Sequence, residues 1–446
     1  MNYGVMVERR TFLSKSAEGK RDKRADAYFC RINQFRMFRS AQLLLSLALL
    51  PFGCFSQSRP SETTRPTESR QTESLQTGSL QTGSLQTGAE LTGLYLPALL
   101  GKRVGLVVNQ TSTIRQTHLV DSLMARGVTV KTIFAPEHGF RGQASAGEKI
   151  SNSRDPKTGV SIISLYGKNY KPAAAQIDSL DVLVFDIQDV GVRFYTYIST
   201  LHYVMEACAE QNKPLVVLDR PNPNGHYVDG PVLDPKFQSF VGMHPIPVVH
   251  GLTVGELARM INGEKWLKNG ATCQLTVVPV KQYTHQTPYD LPVAPSPNLP
   301  NRQSILLYPS LCFFEGTVVS VGRGTDKQFQ VIGSPNPRNG SFTFTPVDRP
   351  GAQNPPHEGV LCYGHDLSRI DAGKLGLTLR YLIELYNKAT DKDKFFLAGN
   401  FIDKLYGSDQ LRLQLRAGVD EKAIRKSWEP ALSAYKQKRK AYLLYP

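Results

Sequence analysis

Glu137, His138 and Arg141 fall within five residues in the stretch FAPEHGFRG, 134–142. A carboxyl group, an imidazole and a guanidinium so close together offer an acid, a base and a permanent cation. Pro136 and the flanking Gly139 and Gly142 hold them on a short, stiff loop, and the apolar run before them reads as a buried strand. Two further stretches carry comparable sets. VFDIQDVGVRFYTYISTL (184–201) presents Asp189, Arg193 and Tyr195 where an apolar run turns polar. FEGTVVSVGRGTDKQFQVIG (314–333) sets Glu315 before Gly316 and Arg323 between Gly322 and Gly324.

The elements around these residues alternate. KRVGLVVNQ (102–110), VTVKTIFAPE (128–137), VSIISLYG (160–167), LDVLVFDIQDVG (180–191) and PLVVLDRPNPNG (214–225) read as strands. RQTHLVDSLMARG (115–127) and YTYISTLHYVMEACAEQNK (195–213) read as helices between them. Strand-helix alternation predicts an α/β fold with a doubly wound parallel sheet, whose ligand sits beyond the carboxyl ends of the strands. Asn109, Glu137 with His138, Gln188 with Asp189, and Asp219 with Arg220 all fall at such ends. No GxGxxG follows the first strand, so no dinucleotide cofactor is expected. No GxSxG is present, and Asp186, Asp189 and His202 make no recognisable ligand set, so neither a serine nucleophile nor a metal is expected.

Further on, HGLTVGELARMINGEKWL (250–267) reads as a helix opened by Thr253 with Glu256 as its capping box, and His250 as a turn or core histidine. The prolines between 292 and 309 stiffen the loop that carries Asn298. From Leu375 the chain is expected to be helical, with Trp428 and the closing aromatics packing it.

The net charge of +15 is uneven, since residues 1–54 hold +6 of it. No dense basic run with interleaved aromatics follows residue 54, so nucleic acid is not the expected partner. An anionic polymer such as a cell-wall glycan suits the same charge. MFRSAQLLLSLALLPFGC (37–54) has a basic start and a short apolar core, which is an export signal rather than a membrane span. Met37 is an alternative start. The Gly53–Cys54 junction resembles a bacterial lipoprotein cleavage site with Cys54 lipidated; ordinary cleavage nearby is the alternative. Residues 55–90, with SLQTG three times, read as a disordered tether. Cys208, Cys273, Cys312 and Cys362 sit among apolar neighbours and read as buried thiols.

FAPEHGFRG, VFDIQDVGVRFYTYISTL, LDRPNPNG, APSPNLPN and FEGTVVSVGRGTDKQFQVIG, in this order, resemble the exo-β-N-acetylmuramidases of the NamZ type. The resemblance spans roughly residues 94–446. It implies a Rossmann-like domain (91–300), a smaller α+β C-terminal domain (301–446) and an active site in the cleft between them. It also implies release of N-acetylmuramic acid from the non-reducing ends of peptidoglycan fragments, with no cofactor. Glycoside hydrolysis usually needs a carboxylic acid on the leaving oxygen and a second group on the sugar's other face. On this resemblance Glu137 is the expected acid, tuned by His138 and Arg141. Glu315 and Asp189 compete for the second role, with N-acetyl participation as a third option. A planar guanidinium suits a carboxylate, so Arg193 and Arg323 are the expected grips on the lactyl group. Asn109, Asn298 and Tyr195 are the expected partners of sugar hydroxyls. The competing function is a non-catalytic lipoprotein that captures a sugar or muropeptide. Either would be exported, facing the periplasm or anchored in the outer membrane of a Gram-negative cell.

Overall fold

Five of the apolar runs, a sixth not anticipated and a two-residue edge build a seven-stranded sheet in the computed structural model, which describes residues 84–141 and 152–446. Its strands are β1 (Arg103–Val108), β2 (Thr129–Ala135), β3 (Ser153–Arg154), β4 (Ser161–Ser164), β5 (Val182–Asp186), β6 (Leu215–Leu218) and β7 (Leu275–Val278). They lie in the order β7-β6-β5-β1-β2-β4-β3, all pairs parallel except the β3–β4 edge. The chain winds outward from β1 through β2 to β4, then returns to β1's other side at β5. The switch point therefore lies between β1 and β5, where a doubly wound sheet opens its crevice.

Alternating residues of the inner strands feed two cores. Val104, Leu106 and Val108 of β1, Val184 of β5 and Val216 of β6 face one. Val107, Leu183, Phe185 and Val217 face the other. Burial on both faces explains why these strands read as unbroken apolar runs. Helices α1 (Thr92–Leu99) and α2 (Leu119–Met124) contribute Leu99 and Leu123 to the first core. Helices α3 (Tyr197–Glu210), α4 (Val254–Gly263) and α5 (Arg302–Leu311) contribute Leu201, Leu257 and Leu307 to the second.

Three expectations shift. Helix α2 is shorter than the 115–127 pattern, because Thr113–Ile114 and Thr117–His118 pair as a small antiparallel hairpin. His118 then caps the helix, its Nδ1 accepting from the Val120 amide. The edge strand β7 is short and only partly buried, so its apolar signal is weak. The tether expected to run to residue 90 ends earlier. Gln86 exchanges backbone bonds with Lys281, and the Gly88 amide donates to the Asp219 carbonyl at 2.8 Å. A Cβ at Gly88 would lie 2.4 Å from the Val278 carbonyl oxygen, so the last SLQTG repeat docks through a glycine that nothing larger can replace. Residues 1–83, with the signal segment, Cys30, Cys54 and the earlier repeats, lie outside the described residues.

The Thr253–Glu256 capping box forms as expected. Beyond α5, Val331–Ser334, Cys362–Asp366 and Phe342–Phe344 make a three-stranded antiparallel sheet with the middle segment at its centre. Helix α6 (Phe401–Tyr406) and the long α7 (Glu421–Arg439) follow, and α7 buries Trp428 and Tyr435. The last residues return to the first sheet, where the Tyr445 hydroxyl donates to Asp219 Oδ2 at 2.6 Å. Among the described residues, both halves belong to one compact unit. The four cysteines of the described residues are buried free thiols.

Candidate active site

Strand β2 ends at Ala135, and the chain turns at once: the Gly139 amide donates to the Pro136 carbonyl at 3.0 Å. His138 takes the third position of this turn with φ 68°, a left-handed conformation uncommon for a residue with a side chain. The turn sets Glu137 and His138 on a cavity wall while Phe140 packs edge-on against His118. Thr196 immediately precedes α3, yet its hydroxyl does not cap the helix. It donates to Glu137 Oε2 at 2.7 Å instead. On the other side stands Tyr166, just past the end of β4. Burial, the charge of Glu137 and a hydrogen bond to that carboxylate hold the Tyr166 hydroxyl well above the usual phenol range. Two hydroxyl-bearing side chains thus fix the Glu137 carboxyl in the cavity.

The cavity holds about 320 Å³. Its walls come from strand-end loops of the first sheet (Glu137, His138, Tyr166, Tyr195, Thr196) and from the second half of the chain (Asn298, Tyr308, Glu315, Arg323, Phe329). The Gly-rich segment earns its glycines here. Gly322 and Gly324 both take φ 78°, and the double bend returns Arg323 to Glu315. Arg323 Nε and Nη2 both donate to Glu315 Oε1, at 2.8 and 2.5 Å. Both side chains remain partly exposed. The proline-rich loop is pinned from three sides. Gln110 Nε2 donates to the carbonyls of Ala294 and Pro295, Tyr197 to that of Pro295, and Asn298 Nδ2 to that of Gly351 at 2.9 Å. Tyr195 lines the cavity with its ring edge-on to those of Tyr197 and Tyr308.

Of the ten expected site residues, six line this cavity: Glu137, His138, Tyr195, Asn298, Glu315 and Arg323. Four do not, and each has a physical reason. Arg193 is wholly buried, and its guanidinium donates to four backbone carbonyls, of Pro231, Ile246, Leu405 and Tyr406. Two of these are last-turn carbonyls of α6, so Arg193 caps that helix and ties it to the first half of the chain. It is a staple, not a grip on substrate. Asp189 is buried behind the cavity, accepting the Gly191 amide at 2.6 Å, and burial pushes its carboxyl up to about 7. His250 Nε2 lies 3.8 Å away. His250 Nδ1 accepts from the Leu252 amide, so the neutral ring carries its proton towards Asp189. Asn109 Oδ1 accepts from both the amide and the hydroxyl of Thr111, closing the β1 turn. Arg141 pairs with Asp155 at 2.6 Å and lies over the Phe140 ring, which clamps the turn from outside.

The remaining strand ends are also structural. Asp186 at the end of β5 takes a bidentate, buried pair from Arg220 past β6. Asp219 accepts from Thr253, Gly255 and Tyr445. Thr196 and Tyr166 escaped notice in the sequence. The strand-end rule, extended to β4, reaches Tyr166, and Thr196 lies inside the 184–201 motif beside residues already singled out. Among the described residues no group of three His, Cys, Asp or Glu could hold a metal, and no helix is long and apolar enough to cross a membrane.

Comparison with known proteins places this geometry. Residues 104–303 match the family described as "Exo-beta-N-acetylmuramidase NamZ, N-terminal", and 306–445 match its C-terminal counterpart. The chain is 39% identical over 375 residues to the peptidoglycan beta-N-acetylmuramidase NamZ of Bacillus subtilis (strain 168), covering 79% of this chain and 89% of that protein. Crystal structures of two DUF1343 family proteins from Bacteroides fragilis NCTC 9343 share the fold. One is 47% identical with a TM-score of 0.76, the other 29% identical with a TM-score of 0.68; each alignment covers 81% of this chain and 99% of the other.

Proposed function

The chain belongs to the NamZ family of exo-β-N-acetylmuramidases and is a glycoside hydrolase that removes N-acetylmuramic acid from the non-reducing ends of peptidoglycan fragments; within that activity we propose that Glu137 protonates the leaving oxygen and Arg323 reads the lactyl carboxylate. One observation carries this reading: Glu137 and the Glu315–Arg323 pair line the same small cavity. The Thr196 and Tyr166 hydroxyls aim the Glu137 carboxyl, so the proton is delivered from a fixed direction. Arg323 spends Nε and one Nη2 bond on Glu315, and the remaining edge of the guanidinium suits a second carboxylate. The lactyl carboxylate is what distinguishes N-acetylmuramic acid from N-acetylglucosamine. Glu315 balances Arg323 when the cavity is empty and can orient the sugar or polarise water on the face opposite the acid. Tyr195 and Asn298 line the same cavity and, on this reading, meet sugar hydroxyls and the acetamido group.

The test is hydrolysis of a chromogenic β-N-acetylmuraminide beside its N-acetylglucosaminide analogue. Preference for the muraminide that Arg323→Met abolishes, chiefly through KM, supports the assignment; a preference untouched by that variant overturns it. Capture without turnover is the weaker reading, because a binding protein has no use for an acid held by two hydroxyls. We also propose that the export signal and a lipidated Cys54 hold the enzyme at a membrane facing the periplasm, the tether giving it reach. Cys54→Ser should move it from the membrane fraction to the soluble one, and an unchanged distribution would contradict lipidation.

A further inference from the structure

Four aromatic rings continue the cavity wall outward on the side of Glu137. Tyr166 and Phe240 belong to the wall itself. Beyond them, Tyr170 lies against Phe240 with ring centroids 4.2 Å apart and the planes tilted by 33°. Tyr203, on α3, lies 6.4 Å from both and nearly parallel to each, at 22° and 16°. Tyr166 closes the group, 5.9 Å from Phe240 and edge-on to Tyr170 at 5.8 Å. All four are half-buried, so ring surface is left to solvent. The patch is held firmly, since the Ser199 hydroxyl donates to the Phe240 carbonyl at 2.7 Å. Lys171, next in sequence to Tyr170, is paired with both Glu206 and Glu210.

From this placement we infer that Tyr166, Tyr170, Tyr203 and Phe240 form the platform for the leaving N-acetylhexosamine, the sugar released when the muramic acid bond breaks. The inference rests on Glu137 being the acid. An acid that protonates the glycosidic oxygen must stand between the two sugars it separates, and Glu137 is bonded to Tyr166, one of the two rings that line the cavity. The cavity has room for a compact ligand only, so the second sugar lies outside it. A pyranose presents an apolar C–H face that stacks on aromatic rings, and a neutral hexosamine asks for no cation. A neighbouring pocket that shares Glu315 and Arg323 with the cavity and reaches Gly351 and Gln353 has no aromatic ring among its lining residues.

The experiment compares two substrates in the whole protein: a muramyl-β-N-acetylhexosamine disaccharide, and β-muramyl fluoride, whose leaving group occupies no sugar site. The expected result is that Tyr170→Ala and Phe240→Ala lower the ratio of kcat/KM for disaccharide over fluoride by about 5- to 10-fold, and that Tyr170→Phe, which keeps the ring, restores it. A ratio unchanged in both alanine variants overturns the platform, as does a ratio that falls only in Gln353→Ala in the neighbouring pocket. Glu137→Gln reports separately on the reading of the cavity: a loss confined to the disaccharide supports Glu137 as the acid, and equal losses on disaccharide and fluoride would overturn that assignment whatever the platform variants do. Thermal unfolding of each variant distinguishes loss of the platform from loss of the fold.

Discussion

The cavity wall and the seam behind it are two polar regions built from the same residue types, and they treat charge in opposite ways. On the wall, Glu137, Glu315 and Arg323 face open volume and are held by hydroxyls or by one another. In the seam, Asp189, Arg193 and His250 are buried in protein, and the hydrogen bonds their side chains make go to backbone. Both arginines are charged groups in crowded surroundings. Arg323 answers a carboxylate and keeps an exposed edge, whereas Arg193 is spent on four carbonyls and has none to give. Proximity to a site therefore does not make a residue part of its chemistry; what the charge is paired with does.

This contrast predicts that wall substitutions cost activity and seam substitutions cost stability. The largest effect should come from Glu137→Gln, which lowers kcat on a disaccharide by roughly 10²- to 10⁴-fold while the melting temperature stays near that of the wild type. Circular dichroism alongside steady-state kinetics would reveal the opposite pattern if the turn depended on that carboxylate. Next, Arg193→Met strands four buried carbonyls and should cost at least about 3 kcal/mol, enough to be seen in urea unfolding. Gly407→Ala probes the same staple more gently. The new Cβ would lie 2.8 Å from Arg193 Nη2 at a backbone φ of 87°, costing about 1–2 kcal/mol. Activity of the folded fraction should survive in both. Arg323→Met should do the reverse, lowering the preference for muraminide over glucosaminide by about 10- to 100-fold with little change in stability.

The smallest effect is a pH slope. Burial raises the Asp189 carboxyl to about 7 in the folded protein, against 3.8 when unfolded. Its contribution to stability is therefore complete below about pH 4 and is lost as pH rises through 7. Asp189→Asn keeps an acceptor for the Gly191 amide and removes the ionisation, so its melting temperature should gain on the wild type between pH 5 and 8. Parallel curves would mean that Asp189 titrates normally and belongs with the wall.

The sequence made the sheet legible because its inner strands are buried on both faces, and it made Glu137 legible because the strand-end rule and a dense motif agree. It could not separate Arg193 from Arg323. The carbonyls that occupy Arg193 come from residues 231, 246, 405 and 406, remote in sequence and silent in composition. Asn109 and Arg141 failed for a related cause: that Thr111 and Asp155 occupy them is visible only in the fold. The docked SLQTG repeat shows the reverse case, in which backbone bonds, the Thr87–Glu90 cap and the packing of Leu85 order a segment that composition marks as slack.

The most direct test of the central claim, that Glu137 is the acid, is the dependence of Glu137→Gln on the leaving group. With a disaccharide, whose alkoxide needs a proton to depart, kcat/KM should fall by roughly 10²- to 10⁴-fold. With a dinitrophenyl muraminide, whose phenolate leaves unaided, it should fall only a few-fold. Equal losses on both substrates would contradict the account and move the acid elsewhere on the cavity wall.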